Sequence, residues 1–477
     1  MEALTTMSVR DLAAEIRQGE LSPVEVMDFF LARIEAVNPG LNAVVVPRYD
    51  EARQEARAAE ERLAKNPKDL PPLFGVPCTM KDTYAMAGLP WAGGLWKRRN
   101  LVPDFDATMV ERVKRAGAII MGKTNVPEAA MWCETYNHVY GRTSNPYDSS
   151  RGVGGSSGGE GAIIGAGASP FGIGSDVGGS IRYPSAFNGV PGHKPTGGRV
   201  PGYGHWPEAR GPLAPYNTYG PMARRVSDLS LLLSLVQGPD GRDPIVEDRG
   251  WRDPDQVDKK NLRVFYYESN GLARADRYVR RAVGMCAGAL RAEKLPVEYW
   301  RPAGVERSFE IWQAGMSQNP DPFERVLGDG ESLGLIRETA RFVARQSKVT
   351  FPALALALAE KPSQFFSGRN KKMLALADDL RLRMEKRLGD NGVLVCPVFP
   401  TPAPKHHWIW ADLLGIGYSG LYNILGFPAT VIPVYYNDKG LPVSVQIVAA
   451  RWNDHLTLAA AGLLESMFGG WQPPGQP

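Results

Sequence analysis

Apolar positions along the chain follow two rhythms. From Met1 to Lys65 they recur at helical spacing. Ser22-Pro23-Val24-Glu25 reads as a helix start: Ser22 can cap, Pro23 suits the first helical position, and Glu25 completes a capping box. Leu21 and Val26 stand where a hydrophobic staple would. The pattern predicts a helix to about Val37, stopped at Asn38-Pro39-Gly40, and a second from Asp50 to Lys65 with a charged outer face. From Phe74 the rhythm shortens. Val76–Met80, Ala118–Met121, Phe171–Ser175, Leu262–Tyr267, Val297–Trp300, Val393–Cys396, Ala429–Val434 and Val443–Ala449 read as strands. Between them, Ala107–Arg115, Ser157–Ala168, Ser227–Val236, Asp276–Glu293 and Asp454–Ser466 read as helices.

Such alternation predicts an α/β protein: a three-layer α/β/α sandwich around a mixed, twisted central sheet. Residues 1–70 are expected as an N-terminal helical segment and 71–477 as the α/β domain. The stretch 303–388 breaks the alternation. It is helical in pattern and rich in Phe and Met, and is expected as an insertion that lines a substrate pocket.

Composition narrows the class. Of 477 residues, 43% are hydrophobic and 22% charged, which excludes wholesale disorder. Lys plus Arg is 55 against 51 for Asp plus Glu, with no basic stripe, so nucleic acid is not expected as a partner. No apolar run approaches the ~18 residues of a membrane span. Cys78, Cys133, Cys286 and Cys396 are isolated and lack metal spacing, as in reduced thiols of a cytoplasmic protein. No metal or cofactor is expected. Of the 52 glycines, 16 fall between Arg151 and Val200, a block with only six charged residues. Dense glycine with little charge predicts closely packed backbone rather than a flexible linker.

Familiar catalytic patterns fail here. There is no His-Glu-x-x-His, and Gly178-Gly179-Ser180-Ile181-Arg182 misses the last glycine of a nucleophile elbow. Gly152 to Gly158 follows a polar turn and precedes no Gly-Lys-Ser/Thr, so it makes a poor phosphate loop. Lys81, Ser156 and Ser180 form a better constellation. Lys81 ends an apolar strand, Ser156 sits beside glycine, and Ser180 follows Val177-Gly178-Gly179, whose N–H groups can form an anion nest. Acyl transfer needs a hydroxyl nucleophile, a base and oxyanion donors. Lysine can be that base if burial brings its pKa down toward neutrality. Each residue alone has a plainer reading, as an ion-paired lysine or a turn serine.

Longer motifs decide between these readings. Gly154-Gly155-Ser156-Ser157-Gly158-Gly159-Glu160-Gly161, then Gly174-Ser175-Asp176-Val177-Gly178-Gly179-Ser180-Ile181-Arg182, resembles the amidase signature. Gly75-Val76-Pro77 leading to Met80-Lys81-Asp82, Lys194-Pro195-Thr196, Gly220-Pro221-Met222-Ala223-Arg224 and Gly440-Leu441-Pro442-Val443 continue the likeness. It runs from about Leu21 to Glu465; Glu160 and Ala166–Pro170 resemble the fatty acid amide hydrolase branch. His193, where the family usually has an apolar residue, is read as a structural histidine; Ser175 replaces a common threonine and, with Ser157, is read as a structural hydroxyl with no required chemical role.

The resemblance implies amide C–N hydrolysis through an acyl-enzyme on Ser180. Ser156, held by a cis peptide with Gly155, would relay protons to and from Lys81. The N–H groups of Val177, Gly178, Gly179 and Ser180 would form the oxyanion hole, with Asp176 and Arg182 supporting them. For the pocket, Met131, Trp132, Phe309, Trp312, Phe342 and Phe366 are the candidates, and they point to aryl or alkyl amides. Carbamate (urethane) or ester cleavage by the same triad, and a glutaminase role as an amidotransferase A subunit, are the alternatives. The expected partner is a small amide, carbamate or ester, and the expected assembly a monomer or homodimer.

Overall fold

The computed structural model describes residues 3–363 and 367–475. Eleven strands form one mixed sheet. In chain order they are β1 (Val44–Pro47), β2 (Pro77–Lys81), β3 (Ile119–Thr124), β4 (Phe171–Asp176), β5 (Gly192–Lys194), β6 (Thr218–Ala223), β7 (Arg263–Tyr266), β8 (Val297–Tyr299), β9 (Gly392–Pro397), β10 (Ala429–Tyr436) and β11 (Pro442–Ala449). Their spatial order is β1-β3-β2-β4-β6-β5-β10-β11-β9-β7-β8. β2 lies parallel to both β3 and β4, and β4 is antiparallel to β6. This mixed sheet with helices packed around it is the α/β class that the alternation predicts.

Every strand expected from the sequence is present. Three more strands of this sheet are not in that reading, nor is the short separate hairpin Tyr136–Asn137 with Gly141–Arg142. β1 lies in the segment expected to be wholly helical: Val44-Val45-Val46-Pro47 pairs with β3 at the sheet edge, where β-branched residues fit and proline is tolerated. β6 contains Pro221, which argues against an interior strand. It is accommodated because β5 meets β6 through a single pairing, Gly192 with Met222. β5 is only three residues long, too short to show a period.

Ser22 caps as expected, its Oγ accepting the N–H groups of Val24 (3.1 Å) and Glu25 (3.2 Å). The helix Pro23–Leu41 nevertheless runs past the expected stop. Pro39 falls in its last turn, and Asn38 Oδ1 accepts the N–H groups of Ala43 and Val44 just beyond, so the side chain extends the end rather than breaking it. Apolar faces from this region (Val9, Leu12, Phe30, Ile34) join the same buried core as the sheet. Residues 303–388 hold helices Ser308–Met316, Phe323–Leu327, Leu335–Val343, Phe351–Ser363 and Ser367–Leu388. Several of these form a second, smaller core around Phe323, Leu327, Leu335 and Leu354. Among the described residues no helix is long and apolar enough to cross a membrane, and no group of three or more His, Cys, Asp or Glu is placed to hold a metal ion.

Candidate active site

Lys81 is the last residue of β2, a strand buried along its whole length between two parallel neighbours. Its side chain is fully buried. Nζ lies 2.7 Å from Ser156 Oγ, 2.9 Å from Ser175 Oγ and 3.4 Å from the Ser175 carbonyl. Burial pushes the Lys81 pKa down to about 7, against a smaller upward pull from Asp176 and Glu160. An amine of that kind divides between its free-base and charged forms near neutral pH.

The loop before the helix Gly158–Gly165 presents Ser156. Its peptide bond with Gly155 is cis. Residue 155 has to be glycine: a Cβ there would run into the Trp132 carbonyl. The Ser157 N–H donates to the Ser180 carbonyl at 3.0 Å, which ties the two serine loops together. Ser157 Oγ also accepts the Ser175 N–H at 3.3 Å. Ser156, Ser175 and Ser180 all line one narrow cleft, open to solvent at its mouth.

The loop after β4 is clamped from outside. Trp312 Nε1 donates to the Val177 carbonyl (3.0 Å) and the Tyr183 hydroxyl to the Gly178 carbonyl (2.6 Å). In a trans peptide the N–H points opposite to the C=O, so the Gly178 N–H faces away from Trp312. Asp176 Oδ1 accepts the Gly179 N–H at 2.7 Å and Oδ2 accepts that of Ile181 at 3.0 Å. Arg182 grips the same carboxylate with Nε (3.0 Å) and Nη2 (2.9 Å), both side chains being fully buried. Burial works to raise the Asp176 pKa, but Arg182, Lys194 and Asn423 together outweigh it and hold the carboxylate well below its ordinary range. Arg182 in turn donates to Asn423 Oδ1, Gln446 Oε1 and the Ser419 carbonyl, which locks the pair to β11 and the helix Gly417–Ile424.

Behind Lys81, Glu160 accepts the hydroxyls of Thr79 (2.7 Å) and Thr124 (2.9 Å). Burial pushes its pKa up to about 8, against the two threonines and Lys81, which pull it down. A Cβ on Gly172 of β4 would overlap this carboxyl, so the glycine makes the space for it.

The structure redistributes the expected pocket residues. Met131 lines the cleft beside Ala129, Ala130 and Ser180. Trp132 does not: it packs on Trp410 (4.2 Å between rings) in a separate aromatic cluster. Trp312 lies behind the Val177–Gly178 loop rather than in the cleft, and Phe309 packs on it at 6.0 Å. Phe342 belongs to a ring series through Phe351 to Trp410. These rings pair with one another because aromatic edges and faces attract. Phe366 lies outside the described residues. From 303–388 it is Met316, Asn319, Phe323 and Val326 that face the cleft. His193 is buried against Thr430 and Asp454, as a structural histidine would be.

Two site groups escape the sequence reading. Ser175 is read there as a structural hydroxyl in place of a threonine, yet its Oγ touches Lys81 Nζ. His205, one of six histidines with no motif around it, is buried with Nε2 2.8 Å from Ser175 Oγ. Only the folded backbone, which brings residues 81, 175 and 205 together, identifies them.

Known proteins share this arrangement of elements. The Amidase family profile matches residues 25–458. Human fatty-acid amide hydrolase 2 is 37% identical over 496 positions, covering 100% of this chain and 91% of that protein. The acylamidase of Rhodococcus erythropolis is 31% identical over 482 positions, covering 97% of this chain and 95% of that protein. A crystal structure of an amidase, 27% identical, superposes with a TM-score of 0.81 and covers 97% of this chain and 100% of that one. The chain belongs to the amidase signature family and is an amide-hydrolysing enzyme.

Proposed function

We propose that amide cleavage runs through an acyl-enzyme on Ser180, driven by Lys81 through Ser156. The observation that carries this is the buried Lys81 amine 2.7 Å from Ser156 Oγ, in the same cleft as Ser180. Neutral Lys81 takes the Ser156 proton, Ser156 takes the Ser180 proton, and Ser180 Oγ attacks the acyl carbon. The N–H groups of Val177, Gly178 and Ser180 receive the oxyanion; that of Gly179 is already engaged by Asp176. As the C–N bond breaks, Ser156 returns a proton to the leaving nitrogen and is resupplied by the Lys81 ammonium. Water then cleaves the acyl ester by the same relay. Asp176 and Arg182 hold the oxyanion loop rather than react.

Apolar acyl amides, alkyl or aryl, are the substrates this cleft fits best. Met131, Leu213, Met316, Phe323 and Val326 supply apolar wall, and the similarity to a fatty-acid amide hydrolase supports the same class. A glutaminase would need a cation for the substrate's α-carboxylate, and the described residues lining the cleft include no Lys or Arg. Carbamates and esters present the same acyl carbon and belong in the substrate panel.

The test is labelling with a fluorophosphonate and mapping by mass spectrometry, with Lys81→Ala and Ser156→Ala alongside. One adduct, on Ser180, slowed sharply in both variants, is the expected result. An adduct elsewhere, or variants that label at the parent rate, would overturn the relay.

A further inference from the structure

Lys81 has more neighbours than a relay needs, and the surplus one has a direction. A neutral lysine carries two N–H bonds and one lone pair. Catalysis requires the lone pair to face Ser156. Ser175 is the second hydroxyl neighbour and offers Oγ at 2.9 Å and its carbonyl at 3.4 Å. A serine hydroxyl can accept or donate. If Ser175 donated to Nζ it would occupy the lone pair and remove the base from the relay.

His205 decides which it does. Nδ1 lies 3.0 Å from the Pro207 carbonyl, which can only accept, so Nδ1 carries the ring proton. The ring is buried between Tyr84 (5.3 Å) and Tyr219 (5.0 Å) and next to the Lys81 amine. Burial first, then Lys81, pushes its pKa down to about 3, so it is neutral wherever the enzyme works. Nε2 is therefore an acceptor, and it lies 2.8 Å from Ser175 Oγ. The Ser175 O–H must point at His205, which leaves only oxygen lone pairs toward Lys81.

We propose that His205 is a positioning residue for the reaction: by accepting the Ser175 hydroxyl it keeps Ser175 an acceptor toward Lys81 and leaves the Lys81 lone pair to Ser156. The inference rests on the Ser180–Ser156–Lys81 reading. The other titratable groups facing Lys81 are Asp176 and Glu160, and both are held by other partners. His205 faces the rings of Tyr84 and Tyr219 and the hydroxyl of Ser175. The Tyr84 hydroxyl is turned away, donating to the Gly174 carbonyl at 2.8 Å.

The test is a double-mutant cycle read by the rate of Ser180 phosphonylation and by kcat and KM on an alkyl anilide. His205→Leu fills the space without an acceptor. It should slow labelling and kcat by about tenfold or more, on the scale of a misdirected general base, and leave KM within about twofold. His205→Gln, whose Oε1 can accept, should restore most of the rate and guards against loss through misfolding. In the Ser175→Ala background no hydroxyl can swing onto Lys81, so His205→Leu should then cost less than about threefold. An equal loss in both backgrounds would overturn the proposal, because His205 would then act on substrate or on packing. Lys81→Ala, run in parallel, separates the two ideas. If it labels at the parent rate the relay itself fails; if it is slow while the cycle shows no coupling, only the role of His205 fails.

Discussion

The floor of the cleft and the wall that faces it are built to different tolerances. Around Ser180 almost every residue from Gly152 to Val200 is buried, and most of its glycines are places where another backbone or a packed side chain lies too close for a Cβ. The wall helices between 308 and 388 carry apolar side chains open to solvent, with Ile336 90% and Val343 79% exposed; the middle ones bury their inner faces in a small separate core, and the first and last reach the main core through Ile311, Leu380 and Met384. The floor holds protons and N–H groups in buried hydrogen bonds. The wall has only to present apolar surface at about the right place. A substitution in the floor should therefore change the rate of chemistry or the fold, whereas one in the wall should change which substrate binds.

The largest effect expected is kinetic. Lys81→Ala should lower kcat by about 10³-fold or more, because it removes a group that acts as a unit with Ser156 and Ser180. Combining it with Ser156→Ala should add little. Met316→Ala, in the wall, should leave kcat within about twofold and raise KM by about three- to tenfold for a long alkyl amide. Steady-state kinetics on one substrate series checks both. A wall variant that loses kcat as Lys81→Ala does would erase the distinction.

Glycine substitutions sharpen the contrast in stability. A Cβ on Gly159 would run into the main-chain N and O of Asn125, with no flexible side chain to move aside. Gly159→Ala should cost about 3 kcal/mol or more, a large part of the ~5–15 kcal/mol that holds a domain together. Gly368, in the helix Ser367–Leu388, has nothing within 4 Å of a built Cβ. Gly368→Ala should be neutral or stabilise by up to about 1 kcal/mol. Denaturant melts of the two variants decide this; equal destabilisation would mean that the wall is packed as tightly as the floor.

This difference also explains what is legible in the sequence. The floor is readable because close packing leaves a record in residue type: Gly155, Gly159 and Gly172 have to be glycine, and the long motif around Ser156 and Ser180 follows. Strands with a clear apolar run are readable for the same kind of reason. The wall is readable as helix and as cleft lining, but not residue by residue. Trp132, Phe309, Trp312 and Phe342 have the right chemistry for a pocket and pack elsewhere, because ring partners lie nearer than the substrate space. His205 and Ser175 are illegible as a pair: a contact between residues thirty positions apart leaves no period and no spacing. β6 is hidden by Pro221, whose cost depends on a neighbouring strand that the sequence does not display.

pH should divide the two regions as well. Lys81 works as a base only when neutral, and burial places its pKa at about 7. Labelling of Ser180 should thus be near its plateau above about pH 8 and fall about tenfold per unit well below 7, as the ammonium form takes over. Met316→Ala should leave that midpoint where it is. Rates measured from pH 5.5 to 9 check this, and a flat profile would remove Lys81 as the titrating base.

The smallest effect separates charge from shape within the floor itself. Glu160 is buried behind Lys81 with its pKa raised from 4.5 to about 8. A raised carboxyl pKa means that the folded state holds the proton more tightly than the unfolded chain does. The resulting stability is complete below about pH 4.5 and is lost as pH rises through about 8. Glu160→Gln cannot ionise, yet it fills the same space, with one amide oxygen to accept a threonine hydroxyl and an NH₂ that the other threonine oxygen can receive. Relative to the parent, the variant should gain melting temperature between pH 5 and pH 9, by about 1–3 °C. The midpoint of the Ser180 labelling profile should hardly move, since at that pH the parent carboxyl is itself mostly protonated. A gap that does not change with pH would mean that Glu160 is ionised in the fold. Its charge would then help set the Lys81 pKa, and the floor would owe its chemistry to a buried ion pair rather than to desolvation.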